Sequence, residues 1–137
     1  MIAALLLAVV LFLLSLASHL VFLQRGAALL NLRDDMLARL AIALIVLASH
    51  LLVAIYFALG FWLGSEWGLG GFKDIPSMDW MDYFYFSLVN MTTLGLGDIY
   101  PTEHLRSLTG IQALTGFALI SCSAQLFWKM MMKGEGK

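Results

Sequence analysis

The stretch Thr92-Thr93-Leu94-Gly95-Leu96-Gly97-Asp98-Ile99-Tyr100-Pro101 decides how the rest of the chain is read. Two glycines stand one residue apart, after paired threonines and before an aspartate, with strongly apolar sequence on either side. Glycine reaches backbone angles that other residues avoid, so Gly95 and Gly97 allow successive carbonyls to face the same way. Irregular backbone at membrane depth survives only where protein buries it or where it lines a watery path. A row of carbonyls around such a path can replace a cation's hydration shell.

Working outward, the preceding segment predicts a short helix from Met78 to Met91, with Ser77 as N-cap. Asp79 and Asp82 fall in its first turn, where carboxylates meet the positive end of the helix dipole. At about 20 Å it is too short to cross a bilayer and long enough to dip into one. Its carboxyl end directs partial negative charge toward the glycine stretch, which favours a partly dehydrated cation. Before it, Gly64–Ser77 reads G-S-E-W-G-L-G-G-F-K-D-I-P-S, a flexible, exposed loop by its glycines and proline. Gly68-Leu69-Gly70-Gly71 is not a phosphate cradle, because no strand precedes it and no suitable helix start follows. Trp62, Trp67, Trp80 and Tyr83 suit a membrane–water interface.

Farther out lie three apolar runs. Met1–Leu23 has no charged residue and at about 34 Å exceeds a hydrocarbon core of about 30 Å. A cleaved signal peptide needs a basic start and a small-residue site. No Lys or Arg precedes Arg25, and Leu16-Ala17-Ser18-His19 is a poor site, so a retained membrane helix is expected. Gln24–Arg39 is a polar break, with Asn31 or Asp34 as candidate caps for a second span over Met36–Leu63. A third span covers Leu105–Met132. Apolar residues make up 61% of the chain and charged residues 12%, against roughly 25% charged in soluble domains. A lipid bilayer is the natural solvent. The net charge of −1 argues against a nucleic-acid partner, and the single cysteine, Cys122, permits no disulfide within the chain.

Thr92–Asp98 resembles the potassium-channel signature T-x-G-x-G-D. Tyr83–Met91 resembles that family's pore helix, and Ile99-Tyr100-Pro101 its outer mouth. Leu96 stands where the family most often has an aromatic, although some two-pore-domain channels carry leucine there. The resemblance covers Leu40–Met132 and implies an all-α integral membrane fold. Three transmembrane helices would carry a re-entrant pore helix and filter loop (78–98), in a homotetramer that conducts K+. The units are then an extra membrane helix (1–24), a cytoplasmic loop (25–39), the pore domain (40–132) and a short tail (133–137). The resemblance implies ion binding along Thr93, Leu94, Gly95, Leu96 and Gly97. Carbonyls of the first four would meet K+, and the Thr93 hydroxyl would form the innermost ring. Asp98, Tyr85 and Thr92 would support the filter from behind. Gly116 falls near the family's hinge glycine, and close helix packing explains it equally well. Phe117, Ile120, Ala124 and Trp128 share a helical spacing suited to an inner pore lining or to a lipid-facing stripe.

Orientation follows from charge. The 24–39 segment and the tail with Lys129, Lys133 and Lys137 hold six of the eight Lys and Arg. Basic residues favour the cytoplasmic side. The expected protein is therefore a multi-pass protein of the inner (plasma) membrane, with its amino terminus and glycine loop outside and its carboxyl terminus cytoplasmic.

The pentads Leu16-Ala17-Ser18-His19-Leu20 and Leu47-Ala48-Ser49-His50-Leu51 are the same five residues on successive spans. Intramembrane ionisable residues are functional candidates, so His19 and His50, with His104 at the outer mouth, are candidate pH-sensitive positions. Interhelical hydrogen bonding is the plainer role. Helix rise puts His19 about 9 Å from Arg25 and His50 about 16 Å from Arg39, which predicts different depths and no shared metal site. No arginine ladder marks a voltage sensor. No nucleophile, base and orienting group assemble into an enzyme, and no soluble substrate is implied. Two rival functions remain, a weakly selective cation channel and a non-conducting, channel-like scaffold or sensor subunit.

Overall fold

A computed structural model describes residues 1–75 and 77–135. Pro76 of the glycine-rich loop and Lys137 of the basic tail lie outside the described residues. Helix α1 spans Ile2–Leu32, α2 Met36–Glu66, α3 Trp80–Met91 and α4 Leu105–Glu135. Three of them, α1, α2 and α4 (the last over Leu105–Lys133), are long and apolar enough to cross a membrane. At 31 residues each, they run to about 46 Å, beyond the hydrocarbon thickness. The 12 residues of α3 reach only about 18 Å.

The polar break is far shorter than Gln24–Arg39. Helix α1 continues to Leu32, leaving three residues before α2. The reason lies in packing. Gly26 is buried, and a Cβ there would stand 3.0 Å from Leu126 Cδ2. Leu30 belongs to a cluster with Ile42, Val46 and Leu126, while Gln24 and Arg25 point outward from good helix formers and do not stop the helix. The cap of α2 is Asp35, whose carboxylate accepts from the Ala38 N–H at 2.9 Å. Asp34, one of the expected caps, instead receives the Arg39 guanidinium at 2.9 Å. Likewise α3 starts at Trp80 under Asp79, not under Ser77. Asp79 and Asp82 exchange backbone hydrogen bonds in a capping box, and this reciprocal pairing outcompetes a lone serine.

Helix α1 packs along both α2 and α4, and α3 sits against α2 and α4. The main core gathers Leu11, Phe57, Phe61, Phe86, Met91, Leu108 and Leu119. Contact is closest where α2 has no side chain. A Cβ at Gly60 would fall 2.4 Å from Leu11 Cδ1, and one at Gly64 2.7 Å from Leu105 Cδ2.

The loop after α2 was expected to be a flexible, exposed turn, and it is clasped instead. Gly71 and Thr102 bond through their backbones at 2.8 Å, Lys73 N–H donates to the Tyr100 carbonyl at 2.8 Å, and His104 N–H donates to the Leu69 carbonyl at 2.9 Å. Phe72 anchors the clasp from inside, edge-on to Phe61, Tyr83 and Phe86. Tyr83 is thus buried in the core, not at an interface, because Phe72 provides a ring to pack against. Trp62, Trp67 and Trp80 are exposed as expected. The clasp brings the segment following α2 against the segment following the 92–98 loop, and so fixes the far end of that loop.

Candidate functional site

The 92–98 loop leaves the carboxyl end of α3 and is exposed over its whole length. Its backbone alternates. Thr93, Gly95 and Gly97 have φ of 61°, 53° and 76°, in the left-handed region, whereas the intervening Leu94 and Leu96 do not. The glycines adopt these angles without steric cost. Thr93 does not, since left-handed backbone costs an L-residue about 1–2 kcal/mol and is rarest for a β-branched one. The surrounding contacts hold it there: Thr93 N–H donates to the Asn90 carbonyl at 3.0 Å, and the Thr92 hydroxyl to the Val89 carbonyl at 2.7 Å.

Behind the loop, the Tyr85 hydroxyl donates to the Asp98 carboxylate at 2.7 Å, joining the middle of α3 to the end of the loop. This acceptor pushes the Tyr85 phenol above its ordinary range. A narrow cavity of about 20 Å³ remains between α3 and the loop, bordered by Phe86, Asn90, Leu96 and Asp98. Leu96 itself is 58% exposed.

The last turn of α3 is held by polar side chains that composition alone gave no reason to single out. Gln112 of α4 is fully buried. Its Nε2 donates to the Ser87 carbonyl at 2.9 Å and lies 2.6 Å from the Ser87 hydroxyl. Its Oε1 accepts from Asn90 Nδ2 at 2.8 Å. Asn90 also donates to the Thr109 carbonyl at 2.9 Å, and the Ser87 hydroxyl donates to the Ala54 carbonyl of α2 at 2.6 Å. The available signal was Gln112 itself, an amide in the middle of an apolar span, where a polar group is expected to find a partner. One turn farther, Gly116 touches α3 directly, and a Cβ there would stand 1.8 Å from the Met91 carbonyl oxygen. Gly116 therefore packs closely, as one of its two sequence readings expects.

On α4, Phe117, Ile120, Ala124 and Trp128 are exposed and fall on one face. The histidines require a correction, because His19 and His50 are not at different depths. Their ring centroids are 5.0 Å apart, edge to face. Arg25 and Arg39 are the wrong markers, since the helices turn at 33–35. His19 precedes Leu32 by 13 residues and His50 follows Met36 by 14, so an antiparallel pair brings them level. His19 Nδ1 lies 2.7 Å from Ser49 Oγ and Nε2 3.2 Å from Ser123 Oγ, so one ring joins α1, α2 and α4. His50 Nδ1 donates to its own helix at the Val46 carbonyl, 2.8 Å away. Among the described residues no three His, Cys, Asp or Glu side chains are grouped to hold a metal. His104 lies in the outer clasp through its backbone.

Three apolar helices of spanning length, with a short helix and a glycine loop held between two of them, define an all-helical, multi-pass membrane protein. A family model described as ion channel matches residues 37–133. The chain belongs to that ion-channel family, and the match begins at α2, leaving α1 outside it. No curated protein and no solved structure gives a significant match.

Proposed function

We propose that this ion channel is potassium-selective, formed by four copies of the chain around one axis, with the 92–98 loops as its filter. One observation carries the reading: the alternating hand of the backbone at Thr93, Gly95 and Gly97 within T-L-G-L-G. In an extended segment, successive carbonyls point to opposite sides. Reversing every second residue turns them to one side, the arrangement a dehydrating filter requires. One such loop cannot surround an ion, and irregular backbone must not face lipid; both requirements support a homotetramer. In this reading α3 is the re-entrant pore helix and aims its negative end at the ion. The Thr93 hydroxyl joins the carbonyls of Thr93, Leu94, Gly95 and Leu96 in binding K+. Asp98, Tyr85 and Thr92 brace the filter. Phe117, Ile120, Ala124 and Trp128 line the inner pore. The basic residues of the 24–39 segment and of the α4 tail support an orientation with the loop and amino terminus outside the plasma membrane and the carboxyl terminus within.

Leu96 favours a second reading. It replaces an aromatic and leaves a small cavity behind the loop, and a less tightly braced filter discriminates ions poorly. Reconstitution in liposomes separates the readings. A potassium-selective channel sets its reversal potential by the potassium gradient in mixed potassium and sodium. A weakly selective one follows the summed cations, and a scaffold passes no current. Ion density along the four-fold axis of the tetramer in potassium checks the site itself.

A further inference from the structure

We infer that Gln112 is a positioning residue for ion selection: through Ser87 and Asn90 it fixes the depth and angle of the pore helix's last turn, and hence of Thr93. The inference rests on the potassium-channel reading and assigns α4 a role in the filter that no filter residue performs. Asn90 lies three residues before Thr93 and is bonded to its N–H through its carbonyl. The same residue's side chain is held by Gln112 Oε1 and the Thr109 carbonyl of α4. One turn earlier, Ser87 is held from two sides, by Gln112 Nε2 and by the Ala54 carbonyl of α2. Every polar atom of the Gln112 amide is thus engaged with α3. A chain of hydrogen bonds runs from α2 through α3 to α4, in which Ser87 and Gln112 have no exposed surface and Asn90 is partly buried.

Apolar packing alone fills this space without fixing it, because methyl groups slide past one another at little cost. A carboxamide bonded at both ends tolerates displacements of only a few tenths of an ångström before its bonds fail. Thr93 is also held in a backbone conformation it would not choose, and such angles persist only when the surroundings over-determine them. The Asn90 carbonyl and side chain are the nearest constraint, and Gln112 holds Asn90 to α4 together with the Thr109 carbonyl. Loss of the amide therefore frees Thr93 to relax and widens the innermost ring, where the ion has exchanged most of its water for protein oxygens.

The test compares wild-type protein with Gln112→Leu, Gln112→Glu and the triple variant Gln112→Leu/Ser87→Ala/Asn90→Leu, all reconstituted as tetramers. Gln112→Leu keeps the volume and removes every bond. Gln112→Glu keeps the acceptor for Asn90 and loses the donor to the Ser87 carbonyl. The triple variant leaves no buried polar group orphaned, so its tetramer recovers stability. If Gln112 only stabilised the fold, the triple variant would recover ion selection as well. The expected result is a potassium-to-sodium permeability ratio lowered at least about tenfold in Gln112→Leu and still lowered in the triple variant, the change that one or two hydrogen bonds correspond to. Gln112→Glu is expected to fall between. A wild-type ratio in the triple variant overturns the inference and leaves the channel reading standing. A wild-type protein that does not prefer potassium overturns that reading, and the inference with it.

Discussion

At Thr93 a β-branched residue sits at a φ of 61°, and the two later members of the alternation, Gly95 and Gly97, are glycines. The sequence motif marks Gly95 and Gly97 as the flexible points, yet the threonine is the one that bears strain. Its counterpart across the interface is Gly116. Because a Cβ there would stand 1.8 Å from the Met91 carbonyl oxygen and 2.8 Å from its carbon, backbone and not a movable side chain would have to yield. Gly116→Ala is therefore expected to cost at least about 3 kcal/mol, the upper end for overpacking, read as a lowered melting temperature of the detergent-solubilised protein. A hinge role without close packing predicts unchanged stability for this variant and altered opening only. Tyr85 offers a titration. Its phenol is raised by the Asp98 hydrogen bond, so the tie is complete below the ordinary tyrosine range and is lost as pH rises through the elevated value. Asp98→Asn is expected to bring the phenolate transition of Tyr85 down toward that ordinary range, measured by difference absorbance against a Tyr85→Phe background.

At the scale of elements, spans and their number were readable from hydropathy, because an uninterrupted apolar run of this length has few other uses. Their ends were not. Charged residues suggested a sixteen-residue break at Gln24–Arg39, whereas Gly26 and Leu30 pack against Leu126 and keep α1 helical. Nothing in a one-dimensional pattern announces a partner 100 positions away. The same limit hid Gln112, whose value lies in Ser87 and Asn90, and hid the Phe72 clasp, whose aromatic partners come from α2 and α3. The glycine loop was legible because its chemistry is local, and the Tyr85–Asp98 contact because both ends lie in one contiguous motif. Caps are local too, and here two acids compete at adjacent positions. Asp35 prevails, held below the usual carboxylate range first by the Ala38 N–H and then by Arg33. A depressed group stabilises above its ordinary range and stops doing so as pH falls through its lowered value. Acidification below the carboxylate range is expected to fray the start of α2, seen as faster amide exchange at Ala38. Asp35→Asn should keep the cap and lose this pH response, whereas Asp35→Ala should fray it at every pH.

For the whole molecule, the question is what α1 adds to an ion-channel family region that begins at α2. It is wedged against α2 and α4 along its length. The Lys133 ammonium of α4 donates to the Leu30 carbonyl near its end, and at its middle His19 is buried between Ser49 and Ser123. A neutral imidazole has one donor and one acceptor nitrogen, so the two hydroxyls meet it in opposite senses and both helices are held by a single ring. His50 occupies the same pentad and is bonded only within its own helix, with Nε2 buried and without a partner among the described atoms. Identical local sequence therefore predicts unequal consequences. His19→Leu removes two interhelical bonds at about 0.6 kcal/mol each in a bilayer setting. The freed hydroxyls then turn back to carbonyls of their own helices. His50→Leu removes one intrahelical bond and an unsatisfied nitrogen, which leaves stability unchanged or slightly raised. Melting of the two variants in the same detergent checks the order. A greater loss for His50→Leu than for His19→Leu would show that α1 is held by packing at Gly60 and Gly26 and not by the histidine. The expected order makes α1 a strut joined to α2 and α4 near the middle of its length, so that α4 cannot tilt away from α2 without breaking the His19–Ser123 bond.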